Sequence, residues 1–203
     1  MDYNAFKLVN GLAGHGLDGV FRLLATDLAA VLMALVALVF LVRWSRRREE
    51  RRAGALLGTV SAALALVAVQ PLSHAVARVR PYAAHPGHAH LLIARSQDFS
   101  FPSDHAVGAF ALAFGIWLYD RVLGRWLLGL AALLAVSRVV AGTHYPGDVL
   151  AGAAVGVAVP AVLFALPPTR RLLERAAERA GELWDRVPPS VPTAGRSSGA
   201  SRP

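Results

Sequence analysis

The apolar positions of the chain fall into long blocks, not alternations. Residues 28–42 are apolar without a break, and with their flanks (21–44) they are long enough to cross a hydrocarbon core of ~30 Å, which takes ~20 helical residues. Further blocks occupy 53–79, 104–119, 126–140 and 148–166. Pro81 disfavours helix just before it, so the second block is expected to stay helical to about Val76 and leave extended. Gly152 and Gly156 in the last block have the spacing that lets two membrane helices approach closely. Ahead of these spans, residues 5–17 carry Phe6, Leu8, Val9 and Leu12 among Gly11, Gly14 and Gly16. That stretch is too short to span and reads as a helix in the interface. Behind them, residues 169–184 set four arginines against Leu172, Leu173, Ala176 and Ala177, the pattern of a basic amphipathic helix on the membrane surface. The pattern as a whole predicts an all-α, integral membrane helical bundle of about five transmembrane helices. A membrane domain covers 1–168, the amphipathic helix 169–186, and a disordered Pro/Ser/Gly-rich tail 187–203.

Composition sharpens this reading. In 203 residues, 55% are apolar while the net charge is +8. A soluble domain has no use for both, but a membrane protein with arginine-rich loops does. The arginines flank apolar runs and are not interleaved with aromatics, which argues against nucleic acid. With no cysteine, disulfides and thiolate metal sites are excluded. The opening Met1-Asp2-Tyr3-Asn4 lacks the basic start of a secretory signal. Residues 43–52, Arg121 with Arg125, and residues 170–179 fall on one side of five alternating spans. The positive-inside rule makes that side cytoplasmic, and residues 80–105 and 138–148 then meet on the outer face.

Those outer segments carry the candidate chemistry. His144 and Asp148 are four apart, a helical spacing that brings a carboxylate near an imidazole and fixes its tautomer, leaving one ring nitrogen free to attack. Alone, the pair reads more readily as a histidine that caps a helix and a solvated loop acid. Arg138, six residues upstream of His144, offers a bidentate fork to a phosphate. Ser103 and Asp104 open the third span, where free N–H groups favour anions, and His105 in the first turn is placed to protonate a leaving oxygen. Arg80 ends the second span, and Arg78 beside it reads as a membrane-edge anchor. His85, His88 and His90 lie in a long polar loop with no acidic residue nearer than Asp98, and read as a solvated or substrate-rim segment in preference to a metal cluster.

Arg80-Pro81, then Pro102-Ser103-Asp104-His105, then Ser137-Arg138 with five residues to His144 and three more to Asp148, resembles the type 2 phosphatidic acid phosphatase superfamily. These are largely helical, metal-independent lipid phosphatases. The opening residues and the Arg-Pro-Tyr-Ala-Ala-His stretch are most like the bacterial undecaprenyl-diphosphatase branch. The resemblance implies His144 as nucleophile forming a phosphohistidine, Asp148 as its orienting partner and His105 as general acid. Arg80, Ser103, Asp104 and Arg138 would bind the phosphate, without cofactor or metal. It implies a polyprenyl diphosphate substrate, membrane lipids as surroundings, no nucleic acid, no protein partner, and a multi-pass protein of the bacterial plasma membrane with its site outside. Another phospholipid is the alternative substrate, and a non-catalytic lipid-binding or transport protein is the alternative of another class. Two positions depart from the family: Ser73 stands where a lysine is usual, and Asp104 where many relatives have glycine.

Overall fold

The computed structural model describes residues 2–42 and 47–186, and the described residues are helical with no strand. The expected tail at 187–203 lies outside the described residues. In chain order the helices are α1 (Asp2–Asn10), α2 (Asp18–Thr26), α3 (Leu28–Leu41), α4 (Arg48–Val76), α5 (Pro81–Ala84), α6 (Asp104–Trp117), α7 (Arg121–Val140), α8 (Pro146–Ala165) and α9 (Pro167–Arg186). The apolar blocks of the sequence become α3, α4, α6, α7 and α8, and α4 ends at Val76 ahead of Pro81. Ala77 takes a left-handed φ of 45° there, its N–H capping Ser73 O at 2.8 Å, and the chain turns out of the helix.

The α6 helix is the centre of the bundle, packed between α4, α7 and α8. Close approach is possible because glycines face it. A Cβ on Gly58 of α4 would stand 2.7 Å from Leu112 O, and one on Gly152 of α8 would stand 2.7 Å from Ser103 O. Gly156 repeats the contact one turn later, 2.6 Å from Val107 O. Leu32, Ala111, Ile116, Ala131 and Leu134 fill the remaining space.

Three features correct the pattern reading. The first apolar block is not one straight helix: α2 and α3 meet at Asp27 with a bend of 48°. Hydrophobicity reports what a segment is buried in, not whether its axis is straight. Next, α4, α7 and α8 are long and apolar enough to cross a membrane, with the bent α2–α3 pair a fourth, but α6 has only 14 residues, ~21 Å of helix. The loop before α6 makes up the difference by entering the bundle, where Ser100 and Ser103 are fully buried. Finally, both flanking helices also pack on the bundle. On α1, Phe6 and Asn10 are buried, with Phe6 against the ring of Tyr145 at 5.6 Å. The Asn10 amide donates to Val140 O and His90 O, both at 2.8 Å, and its Oδ1 accepts from His90 N. The α9 helix docks across the opposite end. Asp185 takes Arg52 in two hydrogen bonds, at 2.9 and 3.1 Å, Glu174 accepts from the Tyr119 hydroxyl, and Trp184 Nε1 donates to Leu41 O.

Candidate active site

At the end of the bundle opposite α9, four segments converge: the extended exit from α4, the N-terminus of α6, the C-terminus of α7, and the turn that enters α8. That turn is sharp. Gly142 adopts φ +80° with His90 O against it, so only glycine fits, and Thr143 Oγ1 donates back to Arg138 O. His144 is thereby held almost fully buried, 1% exposed, at the foot of α8.

The hydrogen bonds of His144 assign its tautomer. Nδ1 lies 2.8 Å from Ser100 O, an acceptor only, so Nδ1 carries the proton. Nε2 then has a free lone pair and accepts from Arg80 Nη1 at 3.2 Å. Burial, and after it the guanidinium groups of Arg80 and Arg138, hold the imidazole well below its ordinary pKa of 6.5. A neutral ring with Nε2 unprotonated is the state a nucleophile toward phosphorus requires, once Arg80 turns its N–H from that nitrogen to the substrate.

Asp148 is fully buried one turn into α8, but it does not bind the ring directly: its carboxylate stands 3.9 Å from Nδ1. Ser100 comes between them. Its carbonyl takes the His144 proton and its Oγ donates to Asp148 Oδ2 at 2.5 Å. Tyr145 N donates to the same oxygen at 2.8 Å, and Arg78 Nη1 donates to Oδ1 at 2.7 Å. The direct imidazole–carboxylate bond expected from the spacing is thus replaced by one through Ser100, because the helix turn aims the carboxylate at its own N-terminus.

Arg80 and Arg138 flank the imidazole. Arg80 is anchored by Asp98 O at 2.8 Å and Thr143 O at 3.2 Å. Arg138 Nη1 donates to Ala25 O at 2.8 Å, a carbonyl near the end of α2, next to the break at Asp27. Two buried polar atoms have no partner among the described residues of this site: Arg138 Nε and Ser103 Oγ. Ser103 is the residue before α6, and its hydroxyl does not cap that helix. Such atoms cost roughly 1–3 kcal/mol each when left unsatisfied, and a polar ligand or a water at this site would satisfy them. Asp104, expected among the phosphate ligands, is instead exposed at the rim. His105 is half-buried beside it, and both line a cavity of about 780 Å³ whose other walls are apolar apart from Thr59, among them Leu32, Val36, Phe40, Leu66 and Leu112.

Two contributors escaped the sequence. Arg78, expected to be a membrane-edge anchor, bridges Asp148 and Asp2. The signal was present: an extended stretch before Pro81 puts residues 78 and 80 on one side. Ser100 carries no such signal. Ser73, in the place of the usual lysine, is on α4, while Arg80 lies beyond the helix end, so the two share no helical face. The three loop histidines are not clustered: His85 stacks on Tyr3 at 3.7 Å and His88 turns onto Pro86 O. Among the described residues no three His, Asp or Glu side chains are grouped to hold a metal.

Comparison with known proteins finds relatives in sequence and in fold. The sequence profile of the PAP2 superfamily matches residues 54–172. The undecaprenyl-diphosphatase BcrC of Bacillus subtilis is 31% identical over 166 residues, covering 81% of this chain and 83% of its own. The crystal structure of Aquifex aeolicus LpxE superposes with a TM-score of 0.65 at 26% identity, covering 79% of this chain and 93% of that one. A transmembrane PAP2-type phosphatidylglycerolphosphate phosphatase from Bacillus subtilis shares the fold, with a TM-score of 0.53 at 21% identity, over 92% of this chain and 89% of the other.

Proposed function

Since the chain belongs to the PAP2 superfamily and is a membrane lipid phosphatase, we propose that it hydrolyses a polyprenyl diphosphate, undecaprenyl diphosphate first among them, to the monophosphate and inorganic phosphate. The observation that carries the reading is the junction at His105. On one side lie an unprotonated imidazole nitrogen, two buried arginines and an unpartnered serine hydroxyl; on the other lies a largely apolar cavity. A molecule with a phosphate head and a hydrocarbon tail fits both.

In this reading Arg80, Arg138, Ser103 Oγ and the free N–H groups of the first turn of α6 hold the terminal phosphoryl group. His144 Nε2 attacks phosphorus, the bond to the bridging oxygen breaks, and His105 gives that oxygen a proton. The resulting phosphohistidine is then opened by water, which yields its proton to His105, releasing phosphate and restoring the imidazole. Asp104, at the rim, has no role in binding the phosphoryl group, because a carboxylate there would repel it.

The site faces outward in this reading. Arg51, Arg52, Arg121 and Arg170 sit at the α9 end, and the positive-inside rule puts that end in the cytoplasm. Reporter fusions near Arg48 and near His88 test it, since fusions reading the same side would defeat the topology.

A second reading keeps the reaction and changes the lipid to a glycerophospholipid such as phosphatidylglycerol phosphate; the likeness to a phosphatase named for that lipid supports it. Phosphate release by the purified protein from undecaprenyl diphosphate, phosphatidylglycerol phosphate and phosphatidic acid decides between them. The diphosphate should turn over fastest. Preference for either other lipid replaces the first reading, and binding without turnover of any supports a non-catalytic protein.

A further inference from the structure

The bonds around Asp148 continue past it. Arg78 Nη1 donates to Asp148 Oδ1 at 2.7 Å, and Arg78 Nη2 donates to Asp2 Oδ2 at 2.6 Å. Asp2 Oδ1 in turn accepts from Gly147 N at 3.0 Å, in the first turn of α8. The Arg78 guanidinium lies over the Tyr145 ring, 4.0 Å from its centre. Its backbone carbonyl takes Ser100 N at 2.8 Å. Arg78 therefore touches both groups that connect to the His144 ring, through its side chain to Asp148 and through its main chain to Ser100. Asp148 is fully buried, and Arg78 is the cation hydrogen-bonded to it.

We propose that Arg78 and Asp2 are positioning residues for the reaction: they hold the Asp148 carboxylate, and through Ser100 the His144 ring, at the angle from which Nε2 attacks. The inference rests on His144 being the nucleophile. A planar guanidinium can donate to two carboxylates at once in fixed directions, which an ammonium does less well. Anchoring matters because the carboxylate does not grip the imidazole itself. The ring is held by the main-chain carbonyl of Ser100, and that residue is tied in place by its hydroxyl on Asp148 and its N–H on Arg78 O. Asp2 is itself fixed, since α1 is held by Phe6 and Asn10 against the site. The first helix of the chain is thus part of the catalytic frame.

The test is steady-state kinetics of the full chain, purified in detergent, on a polyprenyl diphosphate. Arg78→Met should lower kcat about 10- to 100-fold, the penalty of a small misplacement, with KM within about twofold of wild type. Asp2→Asn should lose less. The double variant should lose less than the product of the two single losses, because Asp2 and Arg78 act on the same carboxylate, with a small share left to the Asp2 bond to Gly147 N. Arg78→Lys should fall between wild type and Arg78→Met. The proposal is overturned if folded Arg78→Met keeps kcat within about twofold. It is overturned equally if KM rises at constant kcat, which would make Arg78 a substrate ligand, or if the two losses multiply. Should Arg78→Met fail to fold, Asp2→Asn and Arg78→Lys carry the test: reduced kcat at constant KM supports the proposal and unchanged kcat overturns it. His144→Ala run alongside separates the premises. Turnover in that variant sinks the nucleophile assignment and the inference with it, while a dead His144→Ala beside an unaffected Arg78→Met sinks the inference alone.

Discussion

Both ends of the bundle bury arginines, and they treat them differently. At the α9 end Arg52, 2% exposed, is matched by Asp185 in two hydrogen bonds and by Phe40 O, and Arg51 pairs with Asp120 at 2.8 Å. At the site end Arg80 and Arg138, 8% and 7% exposed, meet backbone carbonyls and an imidazole nitrogen, with no carboxylate in ion-pair range among the described residues. A buried cation that is paired supports structure; one left with neutral acceptors keeps its charge for an anion. In the proposed reading the buried arginines of the two ends divide stability from catalysis, while the half-buried Arg78 is paired at the site end and serves to position.

That contrast can be attacked at its strongest point first. With His144 as the proposed nucleophile, His144→Ala should abolish turnover and leave no phosphoenzyme to trap in a rapid acid-free quench; labelled protein would refute the role. His105→Ala keeps the nucleophile and loses the proton donor, which typically costs ~100- to 10,000-fold. The loss should be smaller on a diphosphate, whose leaving group needs less protonation, than on a monophosphate lipid, and equal losses on both would count against His105 as the acid. Arg138→Met should cut kcat/KM by roughly 10- to 100-fold, as expected for losing a charged hydrogen bond, while leaving thermal stability equal or higher. Arg52→Met should do the reverse: the apparent melting temperature falls by roughly 5 °C with kinetics unchanged. If both variants lose stability alike, the distinction between the two ends fails.

The smallest effect is on pH. Burial first, then Arg80 and Arg138, lowers the pKa of His144, so the nucleophile stays unprotonated as pH falls below 6.5 and the acid limb of kcat/KM for wild type lies below that value. Removing the charge of Arg138 raises the His144 pKa toward 6.5, so the acid limb of Arg138→Met should move upward. A limb that stays put, or moves down, would show that Arg138 does not act on the ring.

Much of this was legible from residue order alone. The blocks that became α4, α7 and α8 were visible because a helix in lipid needs a long apolar run, and Pro81 marked where α4 must stop. Arg80, Ser103, His105, Arg138 and His144 could be singled out because each stands at a span end, where polar side chains have no cheap structural use. What was hidden depends on direction. The bend at Asp27 leaves no mark in hydrophobicity, and the Ser100 carbonyl that holds the ring is a backbone atom that any residue carries. The docking of α9 was hidden because an amphipathic pattern shows that a face wants cover, not what covers it.

The glycine contacts of α6 have a consequence for how such a site can be tuned. Ser103 and His105 ride on α6, and His144 is joined to α8, so the spacing between proton donor and nucleophile is the spacing between two helix axes. At Gly152 that spacing is gauged by a single hydrogen atom lying against Ser103 O. A methyl group there would work as a shim, prising the two halves of the reaction apart while every reacting group kept its identity. Rate can therefore drift by substitutions that alter no chemistry, and a search for the determinants of turnover confined to charged residues would pass over the position that sets the gap.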